Sequence, residues 1–386
     1  MALKLAQPST TVIDLPATTA NLSSQRLLAL DIVRGYAMLL MLVSHSSWWL
    51  DDLDYGVAYG WDNMIVPTLR LPESIPGFIL QLATPAFFLL SGFSIALFAF
   101  SRRRRGWTEG QITRFLLIRG LLLIGLDLTV MNFRWQAPYY AEYFSVLTGM
   151  GICVCLVAVL RRLDWRVLIG VMLLVLLATQ FYYYSLTAAG EWPRDESILR
   201  AILLAPSVED MTWKTQFPAL AWLPVVMFGF IAGSRIAEGH ISPTKLTLRM
   251  GIGCLILFAG VMLAGGFGTL YPAHPLIFGK HPPDLAYLSL YTGVACLLIS
   301  LHSTTDSLNT ALPLRVVTIL GQSALFFYLI HIRLIELVSP VIAPLDLPPL
   351  ERSLLIVLAV LPVLICLCAW YRSYKKQHPD SLLQYL

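Results

Sequence analysis

An arginine and a histidine eleven residues apart inside one long apolar segment constrain this chain more than any other feature. Residues 28–45 read Leu-Ala-Leu-Asp-Ile-Val-Arg-Gly-Tyr-Ala-Met-Leu-Leu-Met-Leu-Val-Ser-His, with Asp31, Arg34 and His45 as the acidic and basic side chains. Eleven helical steps of roughly 100° return to within about 20° of the start, so Arg34 and His45 share a face, and Asp31 joins it from one turn earlier. At a rise of about 1.5 Å per residue, His45 lies roughly 16 Å further along the axis than Arg34. Acid, base and imidazole on one stripe of a membrane helix are expensive to insert, and such groups usually face a protein interior or a watery cavity.

The rest of the chain places that segment in a bilayer. Hydrophobic residues make up 57% of the sequence and charged residues 13%, and the mean hydropathy is +0.70. This is the composition of a membrane protein. Ten apolar stretches approach the ~20 residues a spanning helix needs: 28–50, 77–99, 114–135, 143–160, 166–186, 217–235, 250–271, 285–302, 316–337 and 354–371. The predicted fold is therefore an all-α polytopic bundle of about ten transmembrane helices over 28–371, with tails at 1–27 and 372–386. Seventeen Lys and Arg residues fall on the side of the two termini and seven on the other. The excess of basic residues marks the cytoplasmic side, so both tails are expected inside the cell and the cell membrane is the expected location. Residues 1–27 are polar and lack the apolar core of a signal peptide. The net charge of +4 is accounted for by basic loops; the bilayer is the expected partner, and nucleic acid is not.

All six cysteines fall within predicted spans and read as small apolar core residues. The longest loops are 51–76 and 187–216, both expected outside. The segment 198–204 within the second reads as a short interfacial helix. Trp48, Trp49, Trp135, Tyr139 and Tyr140 sit at predicted outer ends, where aromatic rings prefer the headgroup level.

Several side chains could carry chemistry. His45 lies in the outer half of its span, and imidazole is suited to take a proton near neutral pH. The Ser91-Gly92 pair in the second span is either a helix-packing patch or room for a cofactor tail. The run from Arg102 and Arg103 to Arg105 serves topology and anionic lipid, or anchors a phosphorylated cofactor. Arg114 and Arg119 carry that positive surface into the third span, and Arg119 is too deep for simple snorkelling. Asp127 is deeper still and is expected to pair with Arg34 or Arg119 or to orient an imidazole. Near the end of the chain, Arg333 and Glu336 form an i,i+3 pair. Beside them, Tyr328 and His331 are candidates for an acceptor vestibule. No metal site is predicted.

These stretches resemble a known group. Residues 30–45, with their Arg-x10-His spacing, look like the opening span of the acyltransferase-3 group, and Phe87-Phe-Leu-Leu-Ser-Gly92 matches its second motif. Residues 217–233, 279–287 and 321–331 resemble the proline–tryptophan–glycine span, the lysine–proline–proline segment and the closing tyrosine–histidine span of heparan-α-glucosaminide N-acetyltransferase-like proteins. The similarity runs over about 26–335. It implies a helical bundle that carries an acyl group, commonly acetyl from cytosolic acetyl-CoA, to a sugar or glycan across the membrane. The 51–76 loop has no histidine; Tyr55, Tyr59 and Asp62 are its nearest polar candidates, which favours the acyltransferase-3 manner of using His45.

The resulting expectation is an integral-membrane acyltransferase. His45 would be its base or would take the acyl group covalently, with Arg34 and Asp31 on the same stripe. Arg102, Arg103, Arg114 and Arg119 would hold the CoA phosphates, and the pantetheine arm would lie near Ser91 and Gly92. The acceptor would be a glycan or lipid-linked group, and the oligomeric state stays open. A multi-span transporter or flippase is the alternative class; the absence of an internal repeat weighs against an inverted-repeat version. A membrane scaffold would have no use for the cost of Arg34 and His45.

Overall fold

The computed structural model describes residues 28–49, 78–132, 142–189, 197–204, 213–264, 279–304, 311–378 and 381–385. Twelve α-helices are assigned among them, here numbered α1 to α12. They are α1 Leu28–Trp49, α2 Ala83–Arg104, α3 Glu109–Leu126, α4 Val146–Leu160, α5 Trp165–Ala189, α6 Ile198–Leu203, α7 Ala219–Ala237, α8 Pro243–Leu263, α9 Leu285–Thr304, α10 Leu312–Gln322, α11 Ala324–Ile342 and α12 Pro349–Gln377. A π-helical turn, Asp127–Met131, continues α3. Two three-residue strands, Glu142–Phe144 and Trp213–Thr215, pair in parallel in the connections before α4 and α7. A final 3-10 turn, Leu382–Tyr385, folds back so that Tyr385 stacks on Phe115 of α3 with centroids 4.5 Å apart.

Eight of the described helices are long and apolar enough to cross a bilayer. The other two expected spans are helical as well, but α3 carries Glu109, Arg114 and Arg119 within its 18 residues and α4 has only 15. The short helix expected in the 187–216 loop is α6. The ninth expected span, 316–337, is not one helix. It breaks at Ser323 between α10 and α11, because Gly321 and Ser323 are weak helix formers and Gly321 is pressed backbone to backbone against α1. The seventh begins earlier than 250, at Pro243, where the Ser242 side chain accepts from the Lys245 amide and proline takes the first helical position.

Burial separates interior from perimeter. In α7, 78% of the spanning window is buried, and in α5 and α8 only 17%. The perimeter helices expose large apolar side chains such as Phe181 at 74% and Leu263 at 88%, as lipid contact requires. This is a multi-pass membrane protein.

The interior helices touch through glycines. A Cβ on Gly229 of α7 would sit 2.1 Å from the Leu89 carbonyl oxygen of α2, and one on Gly92 of α2 would sit 2.0 Å from that of Val226. The α1–α10 crossing is as close: a Cβ on Gly35 would lie 2.0 Å from the Val317 oxygen, and one on Gly321 would lie 1.8 Å from the Asp31 oxygen. In lipid, association depends on such close packing, because apolar tails offer no hydrophobic drive. The six cysteines are free thiols.

Candidate active site

The α1–α10 contact organises the first polar cluster. With Gly321 against Asp31, the Gln322 amide reaches across and donates to Asp31 Oδ2 at 3.0 Å. Arg34 Nη1 donates to Asp31 Oδ1 at 2.8 Å and to the Gly321 oxygen at 3.5 Å, and Nη2 donates to Ser94 Oγ of α2 at 2.9 Å. One guanidinium thus ties α1, α2 and α10 together, as its planar set of donors permits.

This cluster forms part of the wall of an interior cavity of about 600 Å³. One end is basic and aromatic, with Arg102, Arg105, Lys375, Phe98 and Phe115; the middle carries Ser91, Ser94, Arg34 and Arg119; the far end reaches Met150, Val146 and Tyr328. Arg119 stands within electrostatic reach of Arg34 and Tyr371. It has neither a hydrogen bond nor an ion pair among the described residues. At the basic end the Arg102 guanidinium lies over Trp107, 4.5 Å from the ring centroid, and over Phe98 at 5.2 Å.

The second polar cluster lies toward the other end of α1. His45 Nδ1 is 2.7 Å from His331 Nε2, and the two ring planes are inclined by only 20°. His331 is fully buried on α11, and its Nδ1 lies 2.7 Å from the Tyr328 oxygen and 3.1 Å from the Phe327 oxygen. Tyr328, one turn from His331, closes the far end of the cavity, its hydroxyl 3.2 Å from Ser145 Oγ. Lys280, in the connection before α9, is close enough for its charge to act on His45. Loss of hydration holds the Lys280 ammonium down at about 8, from an ordinary value of 10.5.

Asp127 has a different partner from those expected. The carboxylate is fully buried and accepts from the Ser145 and Thr148 amides at 2.8 and 2.9 Å, from Thr148 Oγ1 at 2.6 Å, and from Ser145 Oγ. It caps the N-terminus of α4, whose amides and helix dipole meet its charge. Among the described residues it makes no contact with Arg34, Arg119 or an imidazole, and a π turn begins at Asp127 itself.

The donor-side residues named from sequence divide in three ways. Ser91, Arg102 and Arg119 line the cavity. Gly92 is turned into α7 as a packing contact. Arg103 binds Glu109, which also binds the buried Arg161, and Arg114 is exposed outside the cavity wall. Arg333 pairs with Glu336 at 2.9 Å and donates to the Val130 oxygen at 2.8 Å, a strut between α11 and the π turn. Tyr55, Tyr59, Asp62, Trp135, Tyr139 and Tyr140 lie outside the described residues. The His45–His331 contact and the roles of Gln322, Tyr371 and Lys280 were not read from sequence. Each histidine was singled out, but 286 residues separate them and no local pattern reports that distance.

A multi-helix membrane bundle with a basic interior cavity leading toward a histidine pair defines the class as a polytopic membrane protein with a polar site inside its helices. Residues 27–372 match the acyltransferase domain of the acyltransferase-3 type, and the chain belongs to that family. Comparison with curated proteins finds no match. Family membership favours the first of the two classes left by the sequence: the protein is a membrane acyltransferase.

Proposed function

We propose that the enzyme moves an acetyl or other short acyl group from cytosolic acyl-CoA to a hydroxyl or amine of a sugar, glycan or lipid-linked acceptor on the far side of the membrane. Arg119 carries the donor half of this reading. A guanidinium at that depth, beside a second cation and with no protein partner among the described residues, calls for an anionic ligand, and a phosphate oxygen accepts from it by charge-assisted hydrogen bonds. Arg102, Arg105 and Lys375 at the basic end extend the same preference. The cavity runs from that end to Tyr328, one turn from His331, a path suited to a phosphate-anchored carrier with a long narrow arm.

His45 acts as the base in this reading. It takes the proton of the acceptor hydroxyl or amine as that oxygen or nitrogen bonds to the thioester carbonyl carbon. The C–S bond then breaks, and the departing thiolate receives the proton that His45 took. Tyr328 and His331 lie on the acceptor side. The resemblance of 217–233, 279–287 and 321–331 to heparan-α-glucosaminide N-acetyltransferase-like proteins supports a sugar acceptor. The basic bias of the loops near the termini supports a cytosolic donor side and cytoplasmic termini.

The test is acetyl-CoA binding by calorimetry in lipid nanodiscs, with thioester consumption followed in parallel. The wild type is expected to bind and slowly hydrolyse or exchange acetyl-CoA. Arg119→Gln should weaken binding about tenfold or more, the scale of a lost charged hydrogen bond, in a salt-sensitive way. Arg114→Gln on the same helix serves as the comparison. No CoA binding by the wild type, or equal affinity after Arg119→Gln, overturns the donor assignment.

A further inference from the structure

We propose that His331 is a positioning residue that holds His45 in its Nδ1–H tautomer, leaving the lone pair that acts as base on His45 Nε2. The inference deepens the acyl-transfer reading and rests on it for its consequence on rate. The tautomer itself follows from contacts. Both groups beside His331 Nδ1, the Tyr328 and Phe327 carbonyl oxygens, can only accept, so Nδ1 carries the hydrogen. Every polar contact of His331 is one of these two or the contact with His45, and none is a carboxylate. A doubly protonated His331 would therefore be a fully buried cation without a counter-charge, with the Lys280 charge also acting on its neighbour. His331 is the neutral ring with a lone pair on Nε2. At 2.7 Å that lone pair needs a hydrogen, and only His45 Nδ1 can supply it.

The carbonyls of one helical turn thus set His331, and His331 sets His45. The resulting form of His45 is the minor neutral tautomer of histidine in water, so it needs a partner to hold it. When Nε2 takes the acceptor proton, the Nδ1–H bond to His331 becomes charge-assisted and strengthens as charge develops. This is the orienting part of a base–orienter pair, with a neutral imidazole on a neighbouring helix in place of a carboxylate.

The experiment uses the full chain in nanodiscs with nitrogen-15-labelled histidine. Protonated and unprotonated ring nitrogens are separated by chemical shift, and His45 is assigned by difference against His45→Asn. The expected wild-type spectrum has His45 protonated at Nδ1. His331→Leu should move the hydrogen to Nε2 and lower kcat by roughly 10²-fold, the lower end of a base contribution, with the KM for acyl-CoA unchanged. His331→Gln places an amide oxygen where Nε2 was and should restore the Nδ1–H form and most of kcat. Three results would each overturn the inference: His45 protonated at Nε2 in the wild type, kcat unchanged in His331→Leu, or His331→Gln no better than His331→Leu. Should His331→Leu fail to fold, the wild-type spectrum and His331→Gln still decide. A wild type that never consumes acyl-CoA refutes the preceding subsection, whereas the nitrogen spectrum reads the tautomer without turnover.

Discussion

His45 and Arg34 share one face of one helix but do different work. Arg34 spends its donors on Asp31, Ser94 and Gly321 and holds three helices together beside the cavity. His45 has given one ring nitrogen to His331. That division makes His45→Asn informative. The asparagine amide reaches the position of Nδ1 and can keep the contact with His331, but it has no atom at Nε2. Acyl transfer is expected to fall 10²–10⁴-fold, the usual contribution of a general base. Acyl-CoA affinity should stay near wild type, because Arg34 lies about 16 Å from His45 by helix rise and Arg119 is within electrostatic reach of Arg34. Steady-state turnover combined with a calorimetric CoA titration separates the two effects. Full turnover by His45→Asn would make His45 a spacer and move the base elsewhere.

Among helices, the glycine crossings set how close the functional side chains come. The α2–α7 pair is the most enclosed in the bundle, and its contact at Gly92 and Gly229 leaves no room for a methyl group. Gly229→Ala is expected to cost about 1–3 kcal/mol, the scale of overpacking a close-packed core. Gly260→Ala on the lipid-facing α8 meets nothing within 4 Å and should be neutral or gain from the better helix propensity of alanine. Thermal unfolding in detergent gives the comparison, and equal melting temperatures for the two variants would show that the crossing is not tight. The helix break at Ser323 belongs to the same scale. A hydropathy window runs over it because 316–337 is apolar throughout. Only the press of Gly321 against α1 shows why the helix cannot continue, and that break places Gln322 beside Asp31 and starts α11 toward His331.

For the whole molecule, the basic end of α12, with Arg372, Lys375 and Lys376, lies at the same end of the bundle as the polar cavity mouth at Arg102 and Arg105. The asymmetry of Lys and Arg predicts that this end is cytoplasmic. In a background lacking the six native cysteines, a Ser197→Cys variant should react with an impermeant maleimide from outside intact cells. A His378→Cys variant should react only after permeabilisation. The opposite pattern would invert the enzyme and put its donor cavity on the wrong side for cytosolic acyl-CoA.

Hydropathy and charge are local sums, so the sequence by itself determined the membrane class, the approximate spans and the basic end. The stripe of Asp31, Arg34 and His45 was legible for the same reason: one helix with a fixed period carries all three. The sequence also marked Arg119 as harder to dismiss as a snorkelling side chain. What only the tertiary structure decided is which side chains meet. Asp127 was expected to pair with a cation or orient an imidazole, yet it caps α4, where the Ser145 and Thr148 amides and hydroxyls meet its carboxylate instead. Gly92 read either as a helix-packing patch or as room for a ligand and is a helix crossing, since small residues permit both and only the neighbour distinguishes them. His45 and His331 are joined by the packing of α1 against α11, a contact across 286 residues that no spacing rule reaches. The chemistry proposed for this enzyme depends on that contact, because a histidine acquires a defined tautomer only from the partner beside it.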